Sequence, residues 1–339
     1  MELNDDLLLE TPPPIEGLNP MPTDWADKVP RHRGLWETAE AQHYDPNTSI
    51  KWDDLRADDF SEKERVALAY WWSVNGTFEN SGVPTFGYGM VNSYERHWGD
   101  STSRMLLTIA RDEANHDEIS RRIVEELLPG FPYHRQQVSA AEKRAANNLE
   151  WIHWTNSKYW GGYKRAYEHR SMPAVLSPFI VGEAAASLVY MATSKEAAHP
   201  VLADSLRHIG KDESRHFAFC NYLAQDTWGD LTDDERLSLT KNLKAAYVYI
   251  SIVFGEPRPP FWEVPGYFNE THHEMEEIAR EAGMGIMPQA DRDDIWRRAM
   301  LRVKSVTDRY GIEFPAIPEL GIDGTEAPLT EEDLVVVSF

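Results

Sequence analysis

The chain has 339 residues, of which 27% are charged, and its formal net charge is −22. Such an acid excess argues against nucleic acid or an anionic membrane as a partner, because both attract Lys and Arg. The single cysteine, Cys220, excludes an intramolecular disulfide and is expected to pack as a small buried side chain in a reducing cytosol. No run of about 20 apolar residues and no signal-peptide pattern is found, so we expect a cytoplasmic protein without a membrane span.

The first part of the chain is rich in proline and predicts little regular structure. We expect residues 1–58 to form an irregular segment that wraps the body of the protein. Ser61 opens a capping-box pattern with a Glu three residues later, which predicts a helix to about residue 96. Gly76 and Gly82 weaken this helix around Glu79, so we expect a local break or bulge there.

Further helices are predicted along the rest of the chain, with ends set by capping signals and by Pro and Gly. Five of them have approximate ranges of 101–128, 174–197, 201–226, 232–254 and 290–309, and a sixth is opened by a capping box at Ser139. No stretch alternates as a strand does, so we predict an all-α protein. It is expected to be one domain over residues 1–339, with a core at about 60–255 and a tail at 310–339.

The helix that follows Ser139 is crowded with aromatic side chains. They are Trp151, Trp154, Tyr159, Trp160, Tyr163 and Tyr167. Packing between helices is the simpler interpretation, and the alternative is that some of these rings line a substrate pocket or an electron path. A loop at 255–267, rich in proline, is expected to cover the helices.

Two predicted helices carry the same pattern, Asp-Glu-x-x-His, at residues 112–116 and 212–216. Residues three apart lie on one face of a helix, so each Glu and His can reach a common point. Three other Glu-x-x-His pairs are poor candidates. Glu40/His43 lies in the irregular segment, His199 precedes a proline that disfavours helical geometry, and Glu270/His273 follows a run broken by prolines.

Each pattern is preceded by an apolar run that ends at an isolated acid. Glu183 is the only charged residue between 174 and 192, and it lies 30 residues before Glu213. Glu79 follows an apolar run and lies 34 residues before Glu113. Either separation lets the chain follow a helix, turn and return to the same height. A buried carboxylate is costly unless it is paired or bound to metal, so four helices are predicted to meet at a metal site.

Four carboxylates and two imidazoles suit iron or manganese, because hard oxygen donors with one His per metal leave open positions. The predicted ligands of one metal are Glu79, Glu113 and His116, and those of the other are Glu183, Glu213 and His216. Glu113 and Glu213 are the expected bridges. Asp112 and Asp212 are expected to accept a hydrogen bond from the metal-bound His of the opposite helix, with simple solvation as the alternative.

With this ligand set, the sequence resembles the ferritin-like di-iron carboxylate superfamily over about residues 45–225. The layout of Tyr44 to Pro46, Trp52 and Ile209 to His216 is similar to that of ligand-binding oxidases related to the small subunit of ribonucleotide reductase. Gly76-Thr-Phe-Glu79 and the Asp before each motif resemble p-aminobenzoate N-oxygenases. The resemblance implies a ferritin-like four-helix bundle core with additional helices.

Three positions depart from those relatives. The radical Tyr of a reductase subunit is replaced by Ser120, and the Tyr that forms an ether in the oxidases is replaced by Pro178. The third His of the N-oxygenases is replaced by Ile209, although His208 beside it remains a candidate extra ligand. A stored Tyr radical and the ether are therefore not expected.

The resemblance implies an oxygenase or oxidase that holds two Fe ions, or Mn with Fe, uses O₂ as co-substrate and oxidises a small organic substrate. N-oxygenation, hydroxylation and desaturation, including that of an acyl group, stay open. A reductase or ferredoxin is expected as electron donor, and the resemblance leaves room for a homodimer. Trp72, Phe78 and Phe179 are placed near the ligands on their helices. The alternative of another class is a protein that stores iron or binds metal without substrate chemistry.

Overall fold

The computed structural model describes residues 27–254 and 264–329, apart from the side chains of 252–254 and of several residues between 158 and 169. Over those ranges the protein is all-helical, and its extended contacts are two isolated bridges, Pro315 to Thr325 and Ile317 to Ile322. The helices are α1 His32–Ala41, α2 Pro46–Ser49, α3 Glu62–Glu95, α4 Asp100–Leu127, α5 Ala140–His169, α6 Met172–Leu176, α7 Phe179–Glu196, α8 Pro200–Thr227, α9 Asp233–Phe254, α10 Tyr267–Glu281 and α11 Gln289–Arg309. The all-α prediction is confirmed.

Helix α3 begins at the predicted capping box and runs without a break. Ser61 accepts a hydrogen bond from the backbone N–H of Glu64, whose carboxylate accepts one from the backbone N–H of Ser61. The expected break near Glu79 is wrong, since α3 continues through Pro84 to Glu95. The glycines have another role, because they let α4 approach α3 closely. A Cβ on Gly76 would lie 2.9 Å from the Cβ of Ser120.

The predicted helix at 174–197 is two helices in the structure. Helices α6 and α7 are separated at Ser177 and Pro178, where the buried Ser177 hydroxyl accepts a hydrogen bond of 2.5 Å from Trp228 Nε1. An 18-residue window within Met172–Glu196 has a mean hydropathy of 1.6, which is apolar enough to span a membrane, but 78% of that window is buried inside the fold. This burial is that of a core segment, and it places Glu183 in the interior.

Helix α8 begins at Pro200, as expected from the proline. His199 has extended backbone dihedrals (φ −84°, ψ 125°), and its Nδ1 accepts a hydrogen bond from the N–H of Val201. The pair Glu196/His199 is therefore not on one helical face. The capping boxes at Ser139 and Thr232 are also confirmed, because Glu142 and Glu235 each complete the reciprocal hydrogen bonds.

Three helices were not predicted. Helices α1 and α2 lie inside the segment expected to be irregular, so Glu40 is helical and that expectation is wrong for part of its described residues. Helix α10 carries Glu270 and His273, but Glu270 is exposed. Residues 1–26, most of the loop expected at 255–267 and the end of the tail from 330 lie outside the described residues.

The core is built around two helix pairs. Helix α3 packs along α4 and α7 packs along α8, while α4 also contacts α8. Helix α5 packs on α3, α10 on α3 and α5, and α11 on α7. The Trp151 and Trp154 rings of α5 meet edge to face, whereas the side chains of Tyr159 and Tyr163 are outside the described set. Cys220 is buried, as expected.

Candidate metal centre

The six predicted ligands meet in the interior, one or two from each of the four helices α3, α4, α7 and α8. The two imidazoles are fully buried, and the four carboxylates are 3–7% exposed. They form two overlapping groups that could each hold one ion. The groups are Glu79, Glu113, His116 and Glu213, and Glu113, Glu183, Glu213 and His216. Glu113 and Glu213 belong to both groups, which is the placement predicted for the bridging carboxylates.

The first group converges on the Nδ1 atom of His116. Glu79 Oε2 and Glu213 Oε1 each lie 3.2 Å from it. These atoms come from α3, α4 and α8, so the group depends on the packing of three helices. The His116 and His216 ring centroids are 6.0 Å apart, which places the two groups side by side.

The second group also converges on the Nδ1 atom of a histidine, but its distances are longer. Its Nδ1 atom, on His216, lies 3.3 Å from Glu113 Oε1, 3.6 Å from Glu183 Oε2 and 3.7 Å from Glu213 Oε2. Neither Glu183 Oε2 nor His216 Nδ1 has a hydrogen-bond partner, although both atoms are buried. Buried polar atoms without a partner are destabilising. Two of them turned toward the same point fit a bound cation.

Each imidazole is held from behind by an aspartate of the facing helix. His116 Nε2 lies 3.1 Å from Asp212 Oδ2, and His216 Nε2 lies 3.4 Å from Asp112 Oδ2. This crossed arrangement is the one predicted, and it directs Nδ1 of each ring toward the carboxylates. Arg215, which the motif spacing does not single out, donates to Asp212 and reaches Asp112 at 3.5 Å. Arg215 therefore ties the two aspartates together.

Burial and the charges of neighbouring groups shift the pKa values of the clustered carboxylates and imidazoles in different directions. Burial and the Glu213 charge raise the pKa of Glu183 to about 8. Burial also raises the pKa of Glu113 well above its usual range. Burial acts against ionisation of Glu213 too, but the hydrogen bond with His116 and the positive charges of His116 and His216 outweigh it and lower its pKa. Hydrogen bonds to carboxylates likewise outweigh burial at both imidazoles and raise their pKa values. The cluster thus retains protons that a bound cation would replace.

Gly82 makes room for Glu113. A Cβ at position 82 would lie 2.7 Å from Glu113 Oε2 and 2.8 Å from its Cδ. Helix α3 can therefore pass over the Glu113 carboxylate only at a residue that has no side chain. The residue that we interpreted as a weak point of the helix is the one that seats Glu113.

Tyr190 is a second residue that the motif spacing does not single out. It lies on α7, seven residues after Glu183, and is 1% exposed. Its hydroxyl donates a hydrogen bond of 2.5 Å to Glu79 Oε1 and also contacts Asn75 Oδ1. Asn75 Nδ2 in turn donates to Ser120 Oγ at 3.0 Å. A Tyr hydroxyl therefore reaches the predicted ligand Glu79, but it comes from α7 and not from position 120, which is a serine.

His208 is not part of either group, so its candidacy as an extra ligand is not supported. Its ring packs on Tyr44 with centroids 4.4 Å apart, and its Nε2 lies 3.8 Å from Asp204. The neighbouring Ile209 is the residue that points inward, fully buried. Because α8 is continuous here, without a bulge, the one-residue offset turns His208 about 100° away from the site.

A cavity of about 1140 Å³ opens on the carboxylate side of the centre. All four ligand carboxylates line it, whereas the two imidazoles do not. Trp72, Phe78 and Phe179, expected near the ligands, are in its wall. Trp160, Tyr190 and Tyr249 extend the aromatic lining. Pockets with an apolar wall and a few polar groups are typical of sites for organic molecules.

Comparison with models of known protein families and with curated proteins finds no match for the chain. The site therefore has to be interpreted from its own geometry. That geometry offers two adjacent groups of hard oxygen donors, each with one imidazole, beside an aromatic cavity.

Proposed function

We propose that this protein is a ferritin-like, non-haem di-iron enzyme that activates O₂ and oxidises a small organic substrate. The observation that carries the proposal is the pair of ligand groups that share Glu113 and Glu213 and open onto the cavity. The four ligand-bearing helices would be the ferritin-like bundle, and the other helices would be additions to it.

The donor set fits two divalent ions of iron or manganese. Four carboxylates would balance the charge of two such ions, and an arrangement rich in oxygen with one imidazole per metal differs from the closed thiolate sites of structural zinc. Glu79 and His116 would hold one ion, Glu183 and His216 the other, and the two shared carboxylates would bridge them. Iron held there would supply O₂ activation, with two electrons delivered by a reductase or ferredoxin.

The protein's own residues would orient the ligands and shield the reaction. Asp112 and Asp212 accept hydrogen bonds from Nε2 of the two imidazoles, which leaves Nδ1 of each ring for the ligand groups. The substrate would lie against the carboxylate side, because that side alone opens on the cavity. Trp72, Phe78 and Phe179 would exclude water and pack against an apolar body.

Storage of iron without substrate chemistry is the rival function, and the cavity argues against it. A storage site needs no pocket for an organic molecule, whereas here Trp72, Phe78 and Phe179 lie in the wall of a cavity that reaches the four carboxylates. The choice among N-oxygenation, hydroxylation and desaturation, including that of an acyl group, rests on the substrate. The choice between Fe/Fe and Mn/Fe rests on metal supply, since the same ligands suit both.

The test is anaerobic loading with ferrous iron, metal analysis, and stopped-flow absorbance on mixing with O₂. We expect two irons per chain, a transient visible absorbance, and oxygen uptake that increases with an organic substrate. Two metals without an oxygen reaction would favour manganese or storage. A chain that binds no stoichiometric metal would refute the proposal, and the variant Glu183→Ala should lose metal while it remains folded.

A further inference from the structure

The two metal positions differ in how their terminal carboxylates are held. Glu79 has both oxygens engaged, Oε1 by the Tyr190 hydroxyl at 2.5 Å and Oε2 by His116 at 3.2 Å. Glu183, its counterpart on α7, has an Oε2 without any hydrogen-bond partner. The sequence repeats the ligands in both halves, but a phenol supports the terminal carboxylate in only one of them.

The phenol has one proton and two acceptors within reach. Glu79 Oε1 and Asn75 Oδ1 both contact the Tyr190 oxygen. With Glu79 ionised as a metal ligand, the charge-assisted bond to its carboxylate is the stronger one. The Asn75 amide can then rotate, so that its NH₂ donates to Tyr190 and its oxygen accepts from Ser120. Every polar atom of the chain from Ser120 to Glu79 then has a partner.

This chain of hydrogen bonds is closed off from solvent. Ser120, Asn75 and Tyr190 are each at most 1% exposed. Gly76 lies against Ser120, so α3 and α4 are in contact at this level. A buried hydroxyl in such a setting keeps one orientation, so its hydrogen bond continues to occupy Oε1 of Glu79.

We propose that Tyr190 is a positioning residue that holds Glu79 as a one-oxygen ligand and so makes the two metal positions inequivalent. The inference rests on the proposed two-metal centre. It assigns Tyr190 to the position of Glu79 and His116 alone. Among the described residues, no hydroxyl supports the carboxylate at the position of Glu183 and His216, so that carboxylate can turn to offer one oxygen or two.

The test compares Tyr190→Phe with Tyr70→Phe. Tyr70 is also fully buried, and its hydroxyl contacts His272 Nδ1 at 2.9 Å, away from the ligand groups. Each variant loses one buried hydroxyl, so a general loss of packing affects both. Mn²⁺ is titrated into the full chain without O₂, with affinities from calorimetry and spin coupling between neighbouring ions from electron paramagnetic resonance.

We expect Tyr190→Phe to weaken one Mn²⁺ affinity about 10- to 100-fold, the range for loss of a group that orients a ligand, and to leave the other unchanged. With one Mn²⁺ added per site, the wild type should show the signal of coupled ions, whereas Tyr190→Phe should show the signal of isolated Mn²⁺. Tyr70→Phe should keep the coupled signal. Equal weakening of both affinities, or no change in either, would overturn the inference. A wild type that binds no Mn²⁺ or iron would instead refute the metal centre itself.

Discussion

Gly82 offers a way to displace Glu113, the proposed bridging ligand, without altering it. In Gly82→Ala the new methyl group would lie 2.7 Å from Oε2, 2.8 Å from Cδ and 2.9 Å from Cγ of Glu113. Carbon atoms in contact are about 3.5 Å apart or more, so the carboxylate has to retreat by roughly 0.7 Å. Metal–ligand distances tolerate only about 0.2 Å. We therefore expect the variant to lose the contribution of Glu113 to both metals.

The loss of metal affinity can be measured as a smaller rise of the melting temperature on metal loading. Two ions at 100 times their dissociation constants stabilise the folded chain by about 5 kcal/mol. A chain of 339 residues has an unfolding entropy of about 0.7 kcal/mol per kelvin, so loading should raise the wild-type melting temperature by about 8 °C. If both affinities fall about 100-fold, the upper value for loss of ligand orientation, the rise in Gly82→Ala should be about 1 °C.

The assay is differential scanning calorimetry of metal-free and Mn²⁺-loaded protein, with metal analysis of each sample. Gly87→Ala is the matched control, because Gly87 lies on the same helix and a Cβ there meets nothing within 4 Å. That variant should gain up to about 1 kcal/mol from helix propensity and keep the full metal-dependent rise. A Gly82→Ala protein that binds two ions with wild-type affinity would show that Glu113 does not bridge them.

Three other perturbations have defined outcomes. Asp212→Asn should weaken one metal affinity about 10- to 100-fold, because a neutral amide with one acceptor oxygen replaces the carboxylate that accepts from both His116 Nε2 and Arg215, whereas the surface change Asp226→Asn should have no effect on a metal titration. Glu183→Gln should lose metal. In urea melts of the metal-free protein at pH 7, the same variant should have a free energy of unfolding higher by up to about 3 kcal/mol. The reason is that Glu183, with a pKa of about 8, stays protonated in the folded protein but ionises in the unfolded chain, which favours unfolding of the wild type. Burial lowers the pKa of His32 to about 4, so the unfolded chain alone gains its proton between pH 6.5 and about 4, and stability should fall by up to about 3 kcal/mol over that window. The fall should be absent in His32→Gln and retained in a variant of the exposed His43.

The cluster of six acidic and imidazole side chains could be predicted because the sequence carries the same motif twice. Helical spacing places Glu113 with His116 and Glu213 with His216, and each pair is preceded one helix earlier by an isolated acid. An acid inside an apolar run such as that around Glu183 has few physical explanations. Helix ends were predictable for a similar reason, since capping boxes are local: the bonds at Ser61 join residues three apart.

Helix α10 is hard to predict because its buried face mixes apolar residues such as Phe268 and Met275 with polar ones. His272 and Glu276 point inward, where they meet Tyr70 and Arg292 from other helices. In a hydrophobic pattern such residues count as surface, and only the distant partners make their burial affordable. The break at Pro178 depends in the same way on a partner, since Trp228 is 51 residues from the Ser177 hydroxyl that it binds.

The roles of Gly82 and Tyr190 cannot be predicted from helical periodicity. Periodicity assigns a residue to a face of its own helix, and the spacing of seven from Glu183 does place Tyr190 on the ligand face of α7. What each residue does is decided across an interface, by Glu113 for the glycine and by Glu79 for the phenol. The ligands could be paired across that interface because both halves carry the same motif. Neither Gly82 nor Tyr190 has a counterpart in the other half, so only the packed helices reveal their partners, and these two residues are where the halves of the site differ.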